Sequence, residues 1–152
     1  MKQLLLSIKS ALQDSEILDY VRDEDIFISP HIDFFPNMVK FPCIGIKDGD
    51  IDRKPGMSDT IQKDYTVYIV LFENLQKNTE TTIIGDASTE RKGLLDMEDD
   101  VHSILDDNLF DDRFDSAFCK NSEESRPVIE TEISVKQEKV LTYKYEEQCG
   151  MR

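Results

Sequence analysis

Cysteine is scarce in this chain of 152 residues: Cys43, Cys119 and Cys149 are an odd, widely scattered set. No CxxC pair occurs, and neither His31 nor His102 lies near a cysteine, so nothing in the spacing supports a zinc site. Reduced thiols in a cytosolic protein are the simplest account. Long apolar runs are missing too. The stretch Met1–Leu6 is broken by Ser7, Lys9 and Ser10, no signal-peptide core follows it, and no transmembrane span is legible. The chain is therefore expected to stay where it is made, away from membranes.

Positive charge is also in short supply, with 18 basic against 32 acidic residues and a net charge of -14. Binding a phosphate backbone needs clustered Lys and Arg, so this balance speaks against nucleic-acid binding and against anionic membranes. Gly-rich phosphate loops are absent, as are GxGxxG and GxSxG. His31 and His102 have no Ser or Cys nucleophile at a motif spacing, and both read as surface or hydrogen-bonded histidines. The expectation is a protein that is not an enzyme, with no catalytic residue, cofactor or metal.

The length suits one domain, and a domain of this size buries about 70% of its unfolded surface. Leu4, Leu5, Ile8, Ala11 and Leu12 recur at helical spacing, as do Leu94, Met97, Val101, Ile104 and Leu105. Gly93 is placed to start the second helix and Asn108 to end it. Strands are expected over Asp25–Pro30, over Phe41–Lys47 and, most clearly, over residues 61–72. There Ile61, Tyr65, Val67, Ile69 and Leu71 form one register and the other turns apolar toward Phe72, which marks a central strand. Pro127 to Tyr145 is also strand-like, with Lys136–Lys139 either a turn or a continuation. Strand runs on either side of one helix give an α+β fold: a mixed, mainly antiparallel sheet in a single domain, with helices on one face.

Two acidic tracts stand out. Asp48, Asp50 and Asp52, followed by Arg53 and Lys54, lie in what reads as a long polar loop over 47–59. Carboxylates at alternate positions occur in calcium loops, but the glycine is at the second position and Asp59 stands at the twelfth, so a solvated turn is the better reading. The second helix and its exit carry Asp99, Asp100, Asp106 and Asp107, a candidate acidic face. The last two oppose the helix dipole, so helix stability does not account for them. Residues 110–126 read as an acidic insertion that reaches a partner, as a mobile connection, or as holding one short strand around Phe114–Phe118.

Taken in order, the helix from Leu4, the strand Phe41–Ile46, a glycine-containing loop, the strand Tyr65–Val70, the helix Leu94–Val101 and the β segment ending at Thr142–Tyr145 resemble the tail terminator (tail completion) proteins of long-tailed phages. The resemblance rests on element order and texture across nearly the whole chain. It implies a homo-oligomeric ring, a hexamer, that caps the tail tube, stops its polymerisation and docks the neck or connector proteins of the head. DNA would pass through the lumen unbound, an acidic wall suiting that passage. The candidate lumen or subunit-contact residues would be Asp48, Asp50, Asp52, Arg53 and Lys54, or the acidic helix. The protein would reside in the host cytoplasm during assembly and then at the tail–neck junction of the virion. Two other readings stay open: another head–tail joining protein, or an acidic DNA mimic that inhibits a nucleic-acid-binding enzyme.

Overall fold

The alternation over residues 61–72 belongs to a strand that sits in the middle of the sheet. A computed structural model describes residues 1–36, 38–75, 79–129 and 135–150. The strands are β1 (Ile26–Ile28), β2 (Cys43–Pro55), β3 (Thr60–Asn74), β4 (Ser116–Ser122), β5 (Arg126–Ile129) and β6 (Val135–Gly150). Their order is β1-β2-β3-β6-β4. The pair β1–β2 is parallel and the other pairs are antiparallel. β4 and β5 share the outer side of β6, with Ser116–Ser122 opposite Glu146–Leu141 and Arg126–Ile129 opposite Glu138–Val135.

The helices are α1 (Lys2–Asp14), α2 (Thr79–Ile84) and α3 (Leu94–Leu105). α1 has no acid in its first turn and no base in its last, so its dipole is uncompensated. Its stability comes from burying Leu4, Leu5, Ile8 and Leu12. Those side chains share one core with Leu94, Met97, Val101 and Leu105 of α3 and with Ile44, Ile46, Val67, Ile69, Leu141 and Tyr143 of the sheet. The other face of the sheet holds a second cluster, Cys43, Val70, Phe72 and Val140, packed by Phe27, Ile32, Phe35, Val39 and Phe41. β3 is apolar in both registers near its end because it is covered on both sides. The fold is α+β, with α1 and α3 on one face and the segment after β1 laid across the other.

Several expectations need correction. The polar stretch 47–59 is not a loop. β2 runs on to Pro55, only residues 56–59 turn, and β3 begins at Thr60. Cross-strand pairing rather than burial makes this stretch a strand, which is why it carries no apolar alternation. Asn108 does not end α3; Asp107 takes the left-handed conformation, with φ of 58°. The segment 110–126 holds strand, as the reading of one short strand around Phe114–Phe118 expects in part: Ser116–Ser122 is β4 and Arg126 opens β5. Its acids Asp111, Asp112 and Asp115 are exposed, while Phe114 and Ala117 are buried. The Lys136–Lys139 run continues β6. The alternation expected from Ile129 to Val135 falls mostly on residues 130–134, outside the described residues.

Candidate assembly surface

β1 pairs with β2 only from Ile44 to Ile46. From Lys47 to Pro55 the outer edge of β2 has no strand partner among the described residues. All five residues expected from the sequence to act together, Asp48, Asp50, Asp52, Arg53 and Lys54, lie along this open edge and are exposed. The register slips between Asp48 and Ile51, a bulge of the kind that bends a strand. Charges and bulges are what natural edge strands use against indiscriminate pairing, so contact here has to be selective.

Past the Ile51–Tyr65–Tyr145 row, β2, β3 and β6 form a three-stranded arm. Its rows are Asp52–Asp64–Glu146, Arg53–Lys63–Glu147, Lys54–Gln62–Gln148 and Pro55–Ile61–Cys149. Asp64 is buried in it. Burial raises its pKa, but the Gln62 amide and the Lys54 and Lys144 ammoniums outweigh that and hold the carboxyl below its ordinary value. Lys54 Nζ lies 3.5 Å from Asp64. Asp48 is likewise held low by the Lys47 ammonium, 2.6 Å away. Arg53 is different: it stands opposite Lys63, and among the described residues no carboxylate pairs with it. Like charges directly opposite destabilise a sheet, so Arg53 does not serve the stability of the isolated chain. At the turn, Met57 is 78% exposed, and on the arm Ile51 is 42% exposed. The arm mixes both signs, Arg53, Lys54 and Lys63 among Asp52, Asp59, Asp64, Glu146 and Glu147, and the unpaired Arg53 suits it to a partner that brings a carboxylate there.

The acidic helix does not form one face. Asp100 accepts a hydrogen bond from the Tyr20 hydroxyl at 2.6 Å, and burial together with that carboxylate pushes the Tyr20 pKa far up. Asp106 turns toward the sheet and accepts the Tyr143 hydroxyl at 2.7 Å. Asp107 spans the helix exit, its N–H donating to the Ala117 carbonyl at 3.1 Å. Asp99 and Asp107 are both exposed and make no side-chain hydrogen bond among the described residues.

Asp106 belongs to a polar cluster that sequence spacing only half revealed. His102, Glu98 and Asp106 are at helical spacing, but β4 and β6 bring in Ser122, Lys139 and Tyr143. His102 Nδ1 lies 2.7 Å from the Tyr143 hydroxyl and Nε2 lies 3.0 Å from Glu98. Ser122 Oγ donates to Glu98 at 2.6 Å, and Lys139 Nζ stands 3.4 Å from it. Burial raises the Glu98 pKa, but the Ser122 and His102 hydrogen bonds and the Lys139 charge together keep it below the ordinary value. His102 is thus a hydrogen-bonded histidine that ties α3 to the sheet. Tyr143→Phe should cost about 1–2 kcal/mol in urea unfolding, since it strands polar partners without removing the ring. An unchanged midpoint would mean that water replaces the hydroxyl freely.

His31 is exposed and sits edge-on to Phe34, 5.6 Å between ring centroids, away from this cluster. Asp48, Asp50 and Asp52 do not converge on a cation; among the described residues no group of three His, Cys, Asp or Glu side chains is placed to hold a metal. Cys119 and Cys149 are half-buried free thiols, and Cys43 is buried. No described helix is long and apolar enough to cross a membrane. One groove, about 560 Å³, is lined by Tyr20, Arg91, Lys92 and Asp96 among others. Its two bases are paired with carboxylates outside the lining: Arg91 lies 3.6 Å from buried Glu73, and Lys92 lies 3.9 Å from Asp100. No protein-family model matches this chain, and no curated protein matches it.

Proposed function

We propose that this protein is a structural, non-enzymatic assembly protein that joins copies of itself into a ring through the β2–β3–β6 arm. In its finer form the proposal is that the ring, a hexamer, caps the tail tube of a phage-like particle, ends tube growth and presents a docking face to the head–neck connector, DNA passing through unbound. The observation that carries the reading is the arm. It has an open strand edge on which exposed Asp48, Asp50 and Asp52 stand beside exposed Arg53 and Lys54, with Met57 exposed at the tip, so that the acids of one copy can meet the bases of another. Head-to-tail contacts between unlike surfaces close into rings when the rotation permits. That Arg91 and Lys92 of the groove beside Tyr20 are both engaged by carboxylates favours a surface role over chemistry. The divergence of Asp100 and Asp106 weighs against the DNA mimic, which needs its carboxylates in rows on one face.

Arg53→Glu separates assembly from folding. Opposite Lys63 the new carboxylate should raise monomer stability by about 0.2–1 kcal/mol in urea unfolding. On an acidic partner it should weaken self-association about tenfold or more in sedimentation, because the juxtaposed charges become alike. Negative-stain images of the concentrated wild-type chain should show rings with a central hole. Monomers at every concentration, with no binding to isolated tail tubes, would overturn the reading. Binding to a head vertex instead would favour another head–tail joining protein.

A further inference from the structure

Glu138 is the anomaly of the second face. Its side chain is fully buried, yet among the described residues neither carboxylate oxygen has a hydrogen-bond donor within reach. It stands in the row Cys43–Phe72–Glu138–Arg126, under the segment that follows β1. The charged groups that act on it are the Asp33 carboxylate from that segment, Arg126 from β5, whose nearer nitrogen is 3.8 Å away, and Lys136 from β6. Arg126 is spent mainly on Asp33, at 2.8 Å. Buried Glu138 and half-exposed Asp33 thus converge on one Arg126 nitrogen; two carboxylates brought together are repelled when both are ionised, and one proton turns such a contact into a strong O–H···O⁻ bond.

The covering segment is fastened at both ends and held at its middle. Ser29 N–H donates to the Ile46 carbonyl at 2.7 Å, and Lys40 N–H donates to the Asp25 carboxylate at 2.9 Å. At the middle, Asp33 meets Arg126 and Glu138. Next to it Phe35 stacks on Phe41 and lies 4.4 Å from the Lys136 ammonium.

We propose that residues 29–36 and 38–42 form a strap over the sheet that is latched by a proton shared between Glu138 and Asp33 and released when that proton leaves. Burial and the Asp33 charge raise the Glu138 pKa from 4.5 to about 7, with Arg126 and Lys136 offsetting part of the effect. The sign follows. A carboxyl bound more tightly by its proton in the closed form stabilises that form fully below its free value. The contribution is lost as pH rises from about 4.5 through about 7. Release uncovers Phe35, Phe41 and Cys43 without melting the helix-covered core on the opposite face. The latch is independent of ring assembly and does not rest on it.

Cys43, fully buried beneath the strap, is the reporter. In a Cys119→Ser, Cys149→Ser background of the full chain, its labelling by a maleimide is compared with that of the same chain carrying Glu138→Gln. The ratio of the two rates cancels the ordinary pH dependence of the thiol. The Gln amide can donate to Asp33 at every pH, so the ratio of the parent's rate to the Gln variant's should rise about tenfold or more between pH 5.5 and pH 8. A ratio flat across that range would overturn the latch. Should the Gln variant fail to fold, Asp33→Asn serves instead: it removes the opposing charge and should slow Cys43 labelling at pH 8 relative to the parent. Equal or faster labelling would again overturn the proposal.

Discussion

Replacing Phe72 by alanine is expected to lower stability by about 3–5 kcal/mol, the range for emptying a buried aromatic site. Phe72 is fully buried and stands at the centre of the second cluster. It stacks with Phe27 at 6.4 Å between centroids, meets Phe35 edge-on at 5.7 Å, and lies 4.8 Å from the Lys136 ammonium. Truncation would leave a cavity that backbone pairing to Cys43 and Glu138 cannot close, because β2, β3 and β6 are fixed there by the ladder. It would also remove one of two aromatic faces from a buried cation. Urea unfolding followed by circular dichroism gives the value directly. A loss under about 1 kcal/mol would show that the strap side contributes little packing and that the helix side alone holds the sheet.

Gly93→Ala is the second large effect, expected to cost about 3 kcal/mol, at the upper end for overpacking. Gly93 caps α3, its N–H donating to the Asp96 carboxylate at 3.0 Å. A Cβ there would press on the Gly85 nitrogen and lie 2.6 Å from the Ile83 carbonyl oxygen. Those are backbone atoms at the end of α2 and have no flexible tip to swing aside. Gly85 cannot relieve them easily, since it holds φ of +77°, a conformation open mainly to glycine. Gly93→Ser is the informative control. Serine is a better helix cap than glycine, but it carries the same Cβ, so it should be nearly as damaging in thermal melts. A serine variant as stable as the parent would show that the α2–α3 junction can open at little cost.

The sequence by itself determined the elements whose burial is one-sided or two-sided along their length. α1 and α3 were legible from their apolar stripes because each buries one face. β3 was legible as central because its alternation gives way to a doubly apolar end. From those followed the α+β class and helices on one face, both present in the fold. The arm was not legible as strand: Lys47–Pro55 is paired but uncovered, and a pattern read from burial is silent where nothing is buried. The Glu98–His102–Asp106 spacing was visible on the helix, but Ser122, Lys139 and Tyr143 come from strands whose arrival is set by the β4–β6 pairing. Glu138 and Asp33 carried no signal at all, since in a string of letters a buried carboxylate looks like a solvated one. Tertiary structure alone decided these, because cross-strand register and the path of the segment after β1 bring distant charges together, and local periodicity holds no information about either.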